Sequence, residues 1–214
     1  MEVKKFLIAG GNSTALVYNS KNTEKDRIIH ELLTHVEQIG FISTDTTVPT
    51  LTMMGDELCI NSILAFASTL DEQGVLYSSG SSNPIYYSNK NNIATAEISL
   101  TCSQQENIVL FDGIGFILHD AKKGHDITKQ TLSKLCETYN LPAFGGIIYD
   151  NDSIEPYIYV AAIHSFVKET ACGSGSLAFS LFSGITEVTQ PSGEKIIINT
   201  GEKYRISAPI IDYV

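Results

Sequence analysis

Two cysteines, Cys59 and Cys172, have surroundings that could give them a catalytic role. Each stands where an extended run gives way to an apolar helix, so the free amides at the start of that helix would face the thiol. Such a position lowers the pKa of a thiol from about 8.5 toward neutrality and makes a thiolate available. A thiolate on one side of a carbon atom and a thiol on the other could remove a proton and deliver one, which is acid–base chemistry.

The sequence around these cysteines is repeated. Both segments read Cys-x-x-x-x-Leu-Ala-Phe, at 59–66 and at 172–179, and the cysteines lie 113 positions apart in a chain of 214. Sequence, spacing and helix pattern agree at both places, which favours a duplication over a chance match of one helical triplet. Two similar halves would bring both thiols to one cleft. There the Gly-Ser-Gly at 173–175 would let backbone amides approach a carboxylate, and Ile-Asn-Ser at 60–62 would offer side-chain groups instead.

The apolar periodicity predicts short strands and a few helices, in the same order in both halves. We therefore expect two half-domains, 1–104 carrying Cys59 and 105–214 carrying Cys172. The helix after each cysteine is apolar nearly all round and should be buried. The predicted helices are 24–36, 58–70, 126–139 with Asp126 as N-cap, and 174–183; the predicted strands are 4–9, 14–18, 38–44, 47–54, 108–119, 144–149 and 156–167, with further β structure in 74–119 and after 183.

Composition excludes several classes of partner. The chain is 43% hydrophobic and 18% charged, as expected of a globular protein, and no segment approaches the roughly 18 unbroken apolar residues of a membrane helix. A net charge of −10, with no basic cluster longer than Lys122-Lys123, argues against nucleic acid. The charged N-terminus does not resemble a signal peptide, so we expect a cytoplasmic protein. The cysteines are scattered singly, and neither a phosphate-binding loop nor a suitably placed lysine is evident, so no metal or cofactor is expected.

Three segments carry a resemblance to a known family. Ala-Cys-Gly-Ser-Gly at 171–175 resembles the second catalytic-cysteine signature of the diaminopimelate epimerase superfamily, whose racemases, epimerases and isomerases work without pyridoxal phosphate. Gly-Asp-Glu-Leu-Cys-Ile-Asn at 55–61 resembles the first signature, and Gly11-Asn12 is similar to the family's opening strand. Residues 11–17, 37–42 and 190–193 further resemble the histidine racemases of metallophore pathways. The resemblance spans nearly the whole chain, which is shorter than typical members.

The resemblance implies an α/β fold of two pseudo-symmetric half-domains, each a β-barrel-like sheet around a central helix. It implies a cofactor-independent racemase or epimerase that inverts the Cα of an amino acid, with histidine as a candidate substrate and a homodimer as one option for assembly. Cys59 and Cys172 would be the paired acid and base. The expected substrate-binding residues are Asn12, Glu37, Ile60, Asn61, Glu169, Gly173 and Ser174.

Departures from the family pattern keep other functions open. Ile60 replaces a glycine, which narrows the room for a backbone approach and puts substrate size or activity in question. The Asn-Pro-His segment and the Glu-Arg pair of true diaminopimelate epimerases are missing, which argues against diaminopimelate as substrate. The alternatives are an isomerase of the same fold, a binding module that has lost catalysis, and a cysteine hydrolase, although no histidine adjoins either cysteine as a hydrolase requires.

Several candidate residues also have a purely structural interpretation. Glu37 and Glu169 could be solvated carboxylates or helix N-terminal charges, and Asn12 could stabilise a turn by a hydrogen bond from its side chain. His164, in a β-type run, is expected to be structural. Cys102 and Cys136 have no glycine-rich neighbours and are expected in the core.

Overall fold

The computed structural model describes residues 1–43, 47–124 and 126–213, with Asn22 described by its backbone only. Its strands form where apolar side chains alternate or run together, and one tight turn shows how two of them are joined. Asn91 and Asn92 have φ angles of 52° and 61° between paired strands, a combination that two-residue hairpin turns require. The described strands are Glu2–Ile8 (β1), Asn12–Tyr18 (β2), Gln38–Ser43 (β3), Thr50–Met53 (β4), Gln73–Ser78 (β5), Ile85–Lys90 (β6), Ile93–Ile98 (β7), Cys102–Gln105 (β8), Ile108–Phe111 (β9), Gly115–Asp120 (β10), Ala143–Asp150 (β11), Ser153–Val160 (β12), Ser165–Lys168 (β13), Glu187–Thr189 (β14), Lys195–Thr200 (β15) and Tyr204–Asp212 (β16).

The helices fall into two classes by burial. The α-helices are Lys25–Leu32 (α1), Ile60–Ser68 (α2), Lys129–Tyr139 (α3) and Gly173–Ser183 (α4), with single turns of 3-10 helix at Asn22–Glu24 and Ala121–Lys123. Helices α2 and α4 are buried over 60–67 and 173–180, because their residues are apolar or small on every side. Helices α1 and α3 are amphipathic and bury one face each. The predicted burial of the two helices that follow the cysteines is confirmed.

Eight strands close into a barrel around α2. The order is β1 to β7 and then β16, which pairs back to β1. In the second half, β8 to β15 form a sheet whose strands β9, β10, β11 and β15 contact α4. The starts of α2 and α4 touch each other. Each of the two buried helices thus has a sheet around it, as the predicted fold class requires.

The last strand joins the two sheets. Ser207 of β16 stands between Thr95 of β7 and Ile197 of β15, so one strand hydrogen-bonds to both halves. The boundary between 104 and 105 remains a prediction, but the C-terminal strand completes the barrel that contains α2. Because both halves share β16, the sheet around α2 and the sheet around α4 are hydrogen-bonded into one continuous sheet.

Several predicted elements differ from the structure at their ends. The strand predicted at 108–119 is two strands, because the Phe111 amide bonds to the Ile114 carbonyl and turns the chain. The strand predicted at 156–167 is likewise divided by a turn at 161–164. Asp126 does not cap α3; the Thr128 hydroxyl accepts from the Thr131 amide at 3.1 Å and the helix begins at Lys129. The end of the strand predicted at 38–44 lies outside the described residues.

Helices α1 and α2 are shorter than predicted. The helix expected at 24–36 ends at Leu32, because the chain turns at 33–35 and the Val36 amide bonds back to the Leu32 carbonyl. The helix expected at 58–70 begins only at Ile60, since Cys59 is its extended N-cap. Within the described residues, no helix is both long enough and apolar enough to cross a membrane.

Candidate active site

Cys59 and Cys172 are the N-caps of the two buried helices. Both have extended backbones, and each sulfur accepts a hydrogen bond from the amide three residues later, Ser62 N–H at 3.4 Å and Gly175 N–H at 3.3 Å. A Cβ on Gly175 would lie 3.1 Å from the Cys172 sulfur, so the glycine gives this thiol room over the helix end. The sequence-based expectation that the helix starts face the thiols is met in both halves.

The two helix starts cap each other. The Ile60 amide donates to Ser174 Oγ at 3.2 Å, and the Gly173 amide donates to Asn61 Oδ1 at 2.9 Å. Asn61 Nδ2 also donates to the Ala171 carbonyl at 2.9 Å. The first free amide of each helix is therefore satisfied by the second residue of the other helix. This reciprocal pairing fixes the positions of the two thiols relative to each other.

Ile60 and Gly173 form the contact between the helix starts and do not line the cavity. Ile60 is fully buried, and a Cβ on Gly173 would come within 2.7 Å of Ile60 Cγ2. Glycine in one half thus makes room for isoleucine in the other. The substrate-binding roles predicted for these two residues remain predictions, and their observed contact is with each other.

A small cavity lies where the two helix starts meet. It has about 20 Å³ of space for the centres of water-sized molecules, which is room for little more than one water. Cys59 and Cys172 both line it, whereas Cys102 and Cys136 do not. No lysine, arginine or histidine is among its lining residues in the described part of the chain, which are Glu37, Gln38, Met54, Glu57, Leu58, Cys59, Asn61, Ile114, Ile158, Val160, Ser165, Val167, Glu169, Cys172 and Ser174.

Gln38 connects the two half-sites, and the sequence analysis missed it. The Cys59 thiol donates to Gln38 Oε1 at 2.8 Å, and Gln38 Nε2 donates to Glu169 Oε1. Only 7% of Gln38 is exposed. A glutamine that begins an apolar strand gives no local signal of such a role, because its partners are distant in sequence.

Two buried glutamates face the cavity. Glu169 is 2% exposed, and its Oε2 has no hydrogen-bond partner among the described residues. Burial, helped by the charge of Glu37, raises the pKa of Glu169 to about 8. Burial also raises the pKa of Glu57 to about 7, although its Oε2 accepts from the Gly55 amide at 2.9 Å. The sequence held a signal for Glu57, since it precedes Cys59 by two residues much as Glu169 precedes Cys172 by three.

The expected low pKa of the thiols is wrong. Burial is the largest effect and raises the pKa of Cys59 and of Cys172, and the neighbouring Glu169 charge raises both further. One amide hydrogen bond to each sulfur opposes this but is weaker. The sequence showed the helix starts but not the dry, acidic surroundings, which favour the protonated form of both thiols.

Glu37 joins the two halves beside the cavity. Its carboxylate accepts from the Thr170 hydroxyl at 2.6 Å, the Thr170 amide at 3.2 Å and Asn12 Nδ2 at 3.0 Å. Asn12 is fully buried, accepts from the Thr14 hydroxyl at 2.8 Å and does not line the cavity. Burial raises the pKa of Glu37. Asn12 thus donates a hydrogen bond to Glu37, and Glu37 accepts two hydrogen bonds from Thr170 of the other half.

Comparison with known proteins agrees with this geometry. No family model matches the chain. A histidine racemase of Fusobacterium nucleatum is 28% identical, over 94% of this chain and 89% of that protein. A solved structure of a predicted epimerase from Pseudomonas aeruginosa has a TM-score of 0.69 at 8% identity, covering 99% of this chain and 96% of its own. A phenazine biosynthesis PhzC/PhzF-type protein from Clostridium difficile has a TM-score of 0.61 at 10% identity, with the same coverage of 99% and 96%.

The chain is thus similar in sequence to histidine racemases, and it shares its fold with the PhzC/PhzF-type and predicted epimerase structures. The segments that first suggested this superfamily have physical roles around the second cysteine. Gln190 Oε1 accepts from the Cys172 amide at 2.9 Å, and the Ser192 amide donates to the Thr170 carbonyl at 3.1 Å. A Cβ on Gly11 would lie 2.6 Å from that same carbonyl. These superfamily-like segments hold the chain that leads into Cys172.

The remaining candidates lie away from the cavity. His164 has a positive φ of 51° in a turn, its Nδ1 pairs with the Tyr159 hydroxyl at 3.0 Å, and its carbonyl accepts from Lys129 Nζ at 2.6 Å. This fits the structural role expected of it. Cys102 is half-buried beside Tyr204, and Cys136 packs in a separate apolar cluster under α3. Within the described residues, no group of His, Cys, Asp and Glu side chains is arranged to hold a metal ion.

Proposed function

We propose that this chain is a cofactor-independent amino-acid racemase that acts on histidine, with Cys59 and Cys172 as its acid–base pair. The observation that carries the proposal is that the two thiols cap two facing helices and line one small cavity. Inversion at Cα needs proton removal on one face and delivery on the other, and two thiols in one cavity are suited to this. The histidine racemase that matches over 94% of the chain supports the choice of substrate.

The helix starts offer a place for the substrate carboxylate. Asn61 and Ser174 are each second in their helices, and neither amide donates a hydrogen bond within the described residues. Both residues line the cavity. Free amides at two helix N-termini attract an anion. Because negative charge develops on the carboxylate as Cα loses its proton, these amides would stabilise the transition state more than the ground state.

The acidic lining favours a ligand with nitrogen groups. Glu37, Glu57 and Glu169 line the cavity without any basic residue among its described lining. Histidine has an ammonium group and an imidazole, which could hydrogen-bond to the unpartnered Glu169 Oε2 and to the Glu57 carboxyl. A second carboxylate, as in diaminopimelate, would meet like charge instead. The same lining thus disfavours acidic amino acids.

A positive charge on the substrate would favour the thiolate form of the cavity cysteines. An ammonium group in the cavity lowers the pKa of nearby thiols, because it favours their charged form. Glu169 lies beside Cys172 and can take its proton. The Cys172 thiolate then removes the α-proton of one enantiomer while the Cys59 thiol protonates the opposite face. In the reverse direction the two sulfurs exchange roles, so no other reagent is consumed.

Two alternatives remain. An isomerase of the same fold would use the same cavity, and a silent binding module would bind the amino acid without exchanging its α-proton. The presence of both thiols at hydrogen-bonded helix starts favours two-base inversion over either. A cytoplasmic location and a homodimer are carried over from the sequence as predictions.

The test is to incubate the protein, with reductant, with each L-amino acid and to follow enantiomer composition and α-deuterium in D2O by NMR. The reductant prevents a disulfide between the two thiols from mimicking inactivity. We expect inversion of histidine at a higher kcat/KM than of any other amino acid. Binding of histidine without exchange would favour the silent module. Neither binding nor exchange with any amino acid would contradict the proposal.

A further inference from the structure

Gln38 is placed where a single side chain reaches groups of both half-sites. It begins β3 in the barrel, where it pairs with Thr14 of β2, and its amide extends into the cavity wall. One end meets Cys59 and Ser62 of the first half, and the other meets Glu169 of the second half, 131 residues away in sequence. The other hydrogen bonds between the halves at the helix starts fix backbone, whereas this pair involves groups that can exchange protons.

We propose that Gln38 is a positioning residue that keeps Cys59 in its thiol form and fixes Glu169 so that its Oε2 faces Cys172. This inference rests on the proposed racemase function for its catalytic meaning, although its effect on the thiols can be measured without turnover. Gln38 itself need not touch the substrate or gain or lose a proton.

The Gln38 carboxamide accepts at one end and donates at the other, and this difference decides which end faces Cys59 and which faces Glu169. A carboxamide has an accepting oxygen and a donating nitrogen, so it can satisfy a thiol donor on one side and a carboxylate acceptor on the other. The reverse orientation would place the amide oxygen against Glu169 and the NH2 group against a thiol proton. The Cys59 S–H and Ser62 hydroxyl, both directed at Oε1, agree with the observed orientation.

The orientation makes the two thiols unequal. Accepting the S–H proton of Cys59 stabilises the neutral thiol, which is the form that donates a proton. On the other side, the Gln38 N–H donates to Glu169 Oε1. Glu169 Oε2 has no hydrogen-bond partner among the described residues, and the Glu169 carboxyl lies beside Cys172. The other charged groups that act on Glu169 are Glu37 and Glu57, both of the same sign. Gln38 is therefore the neutral donor that favours the ionised carboxylate in an otherwise acidic cluster.

Gln38→Met and Gln38→Glu test the proposal in opposite directions. Methionine has a similar size but is a much weaker hydrogen-bond acceptor than an amide oxygen, so the neutral Cys59 thiol is stabilised less and its thiolate forms more readily. Glutamate keeps the shape but adds a negative charge, which disfavours the thiolate. The measurement is the rate of iodoacetamide alkylation of each cysteine in the free protein at fixed pH, read by mass spectrometry, with the Cys172 rate as internal reference for opening of the cavity.

We expect the ratio of the Cys59 alkylation rate to the Cys172 alkylation rate to rise on the order of tenfold in Gln38→Met. This factor corresponds to the free energy of about one hydrogen bond. In Gln38→Glu we expect the ratio to fall. Gln190→Met is the matched control, because Gln190 is equally buried and meets Cys172 only through its backbone amide. Ratios that move in the same direction in both Gln38 variants, or that do not move, would overturn the proposal and leave Gln38 as packing.

The pH profile of racemisation is the second readout. The hydrogen bond from Gln38 favours the carboxylate, so its loss raises the pKa of Glu169 and should move the acid limb of kcat/KM upward by about one pH unit in Gln38→Met. A merely structural defect, as expected in Gln190→Met, lowers the maximum value of kcat/KM and leaves the pH of its acid limb unchanged. An unmoved limb in an active Gln38→Met variant contradicts the positioning role. If the unmodified protein fails to racemise any amino acid, the proposed function fails, while the alkylation ratio still decides what Gln38 does.

Discussion

The thiols of Cys59 and Cys172 hold equivalent places at two helix starts, but their side-chain partners differ. Cys59 donates to the neutral amide of Gln38, whereas Cys172 lies beside the carboxyl of Glu169. An ionised carboxylate beside a thiol can accept its proton, and a thiol held by an acceptor amide stays an acid. The difference between the two sites follows from residues that lie outside the repeated cysteine motif.

Replacing either thiol tests whether both are needed. We expect Cys59→Ser and Cys172→Ser each to lower racemisation by about 10³-fold or more, because a hydroxyl is a poor acid–base group here. Each variant could still exchange the α-proton of a single enantiomer, since one competent thiol remains. Chiral chromatography follows inversion and NMR in D2O follows exchange. Cys102→Ser, half-buried and away from the cavity, is the control that should stay active. Full activity in either site variant would point to a one-base enzyme.

The buried glutamates predict how stability depends on pH. The pKa of Glu169 is raised from 4.5 to about 8, so between these values the folded state binds a proton that the unfolded state has lost. Stability from this group is therefore complete below pH 4.5 and is lost as pH rises toward 8. The slope is at most about 1.4 kcal/mol per pH unit per group, and Glu57 adds to it up to pH of about 7.

We therefore expect urea denaturation to give a free energy of unfolding that falls between pH 5.5 and pH 8. Glu169→Gln should flatten this slope, because glutamine carries no titrating proton. The exposed Glu202→Gln is the control and should keep the slope of the unmodified protein. Parallel slopes for Glu169→Gln and the unmodified protein would show that Glu169 is ionised in the folded state throughout.

At the scale of elements, α2 and α4 are fitted to each other through Ile60 and Gly173. The departure of Ile60 from the superfamily pattern is matched by the absence of a side chain at Gly173, where a Cβ would lie 2.7 Å from Ile60 Cγ2. The isoleucine therefore fills space between the helices and does not block the cavity. This contact determines how closely the two helix starts, and with them the two thiols, approach.

A double-mutant cycle measures this fit. Gly173→Ala should destabilise the fold by about 1–3 kcal/mol through overpacking, and Ile60→Ala by about 2–5 kcal/mol through the cavity it leaves. In the double variant the added methyl group enters the space that isoleucine vacates, so its cost should fall short of the sum by about 1 kcal/mol or more. Denaturant unfolding gives all three values. Additive costs would mean that the two residues do not contact in solution.

The sequence predicts the elements that carry strong periodic patterns and fails where distant contacts decide. The two buried helices and their cysteine caps follow from local pattern. The break between β9 and β10 does not, because the strand-like run continues through Ile114. Gln38 was missed since its partners, Cys59 and Glu169, come from other elements. The high thiol pKa was missed because burial is a property of the assembled cavity and not of the motif.

At the scale of the whole molecule, the cavity must open to admit a substrate. Its space of about 20 Å³ is far too small for an amino acid. Glu37 and Thr170 hydrogen-bond across the two halves beside this cavity, and Thr170 is exposed while Glu37 lines the cavity wall. Separation of the halves would have to break this contact.

Thr170→Val removes the hydroxyl and keeps the shape of the side chain. Because the lost hydrogen bond is to a carboxylate, we expect the open form to become about tenfold or more populated. Alkylation of Cys59 and Cys172 in the free protein should then accelerate together, as read by mass spectrometry. Thr138→Val, on the exposed side of α3, should leave both rates unchanged. Unchanged rates in Thr170→Val would show that this contact does not hold the cavity closed.

The most direct test of the two-thiol account is the isotope content of the first product molecules. The unmodified protein, equilibrated in D2O with reductant, is mixed with L-histidine, and the D-enantiomer is separated at a few per cent conversion for mass spectrometry. If one sulfur removes the α-proton and the other delivers a solvent-derived deuteron, the early D-histidine is fully α-deuterated while the remaining L-histidine still carries protium. Early D-histidine that retains the original α-protium would mean that a single group removes and returns the proton, which would contradict the paired roles of Cys59 and Cys172.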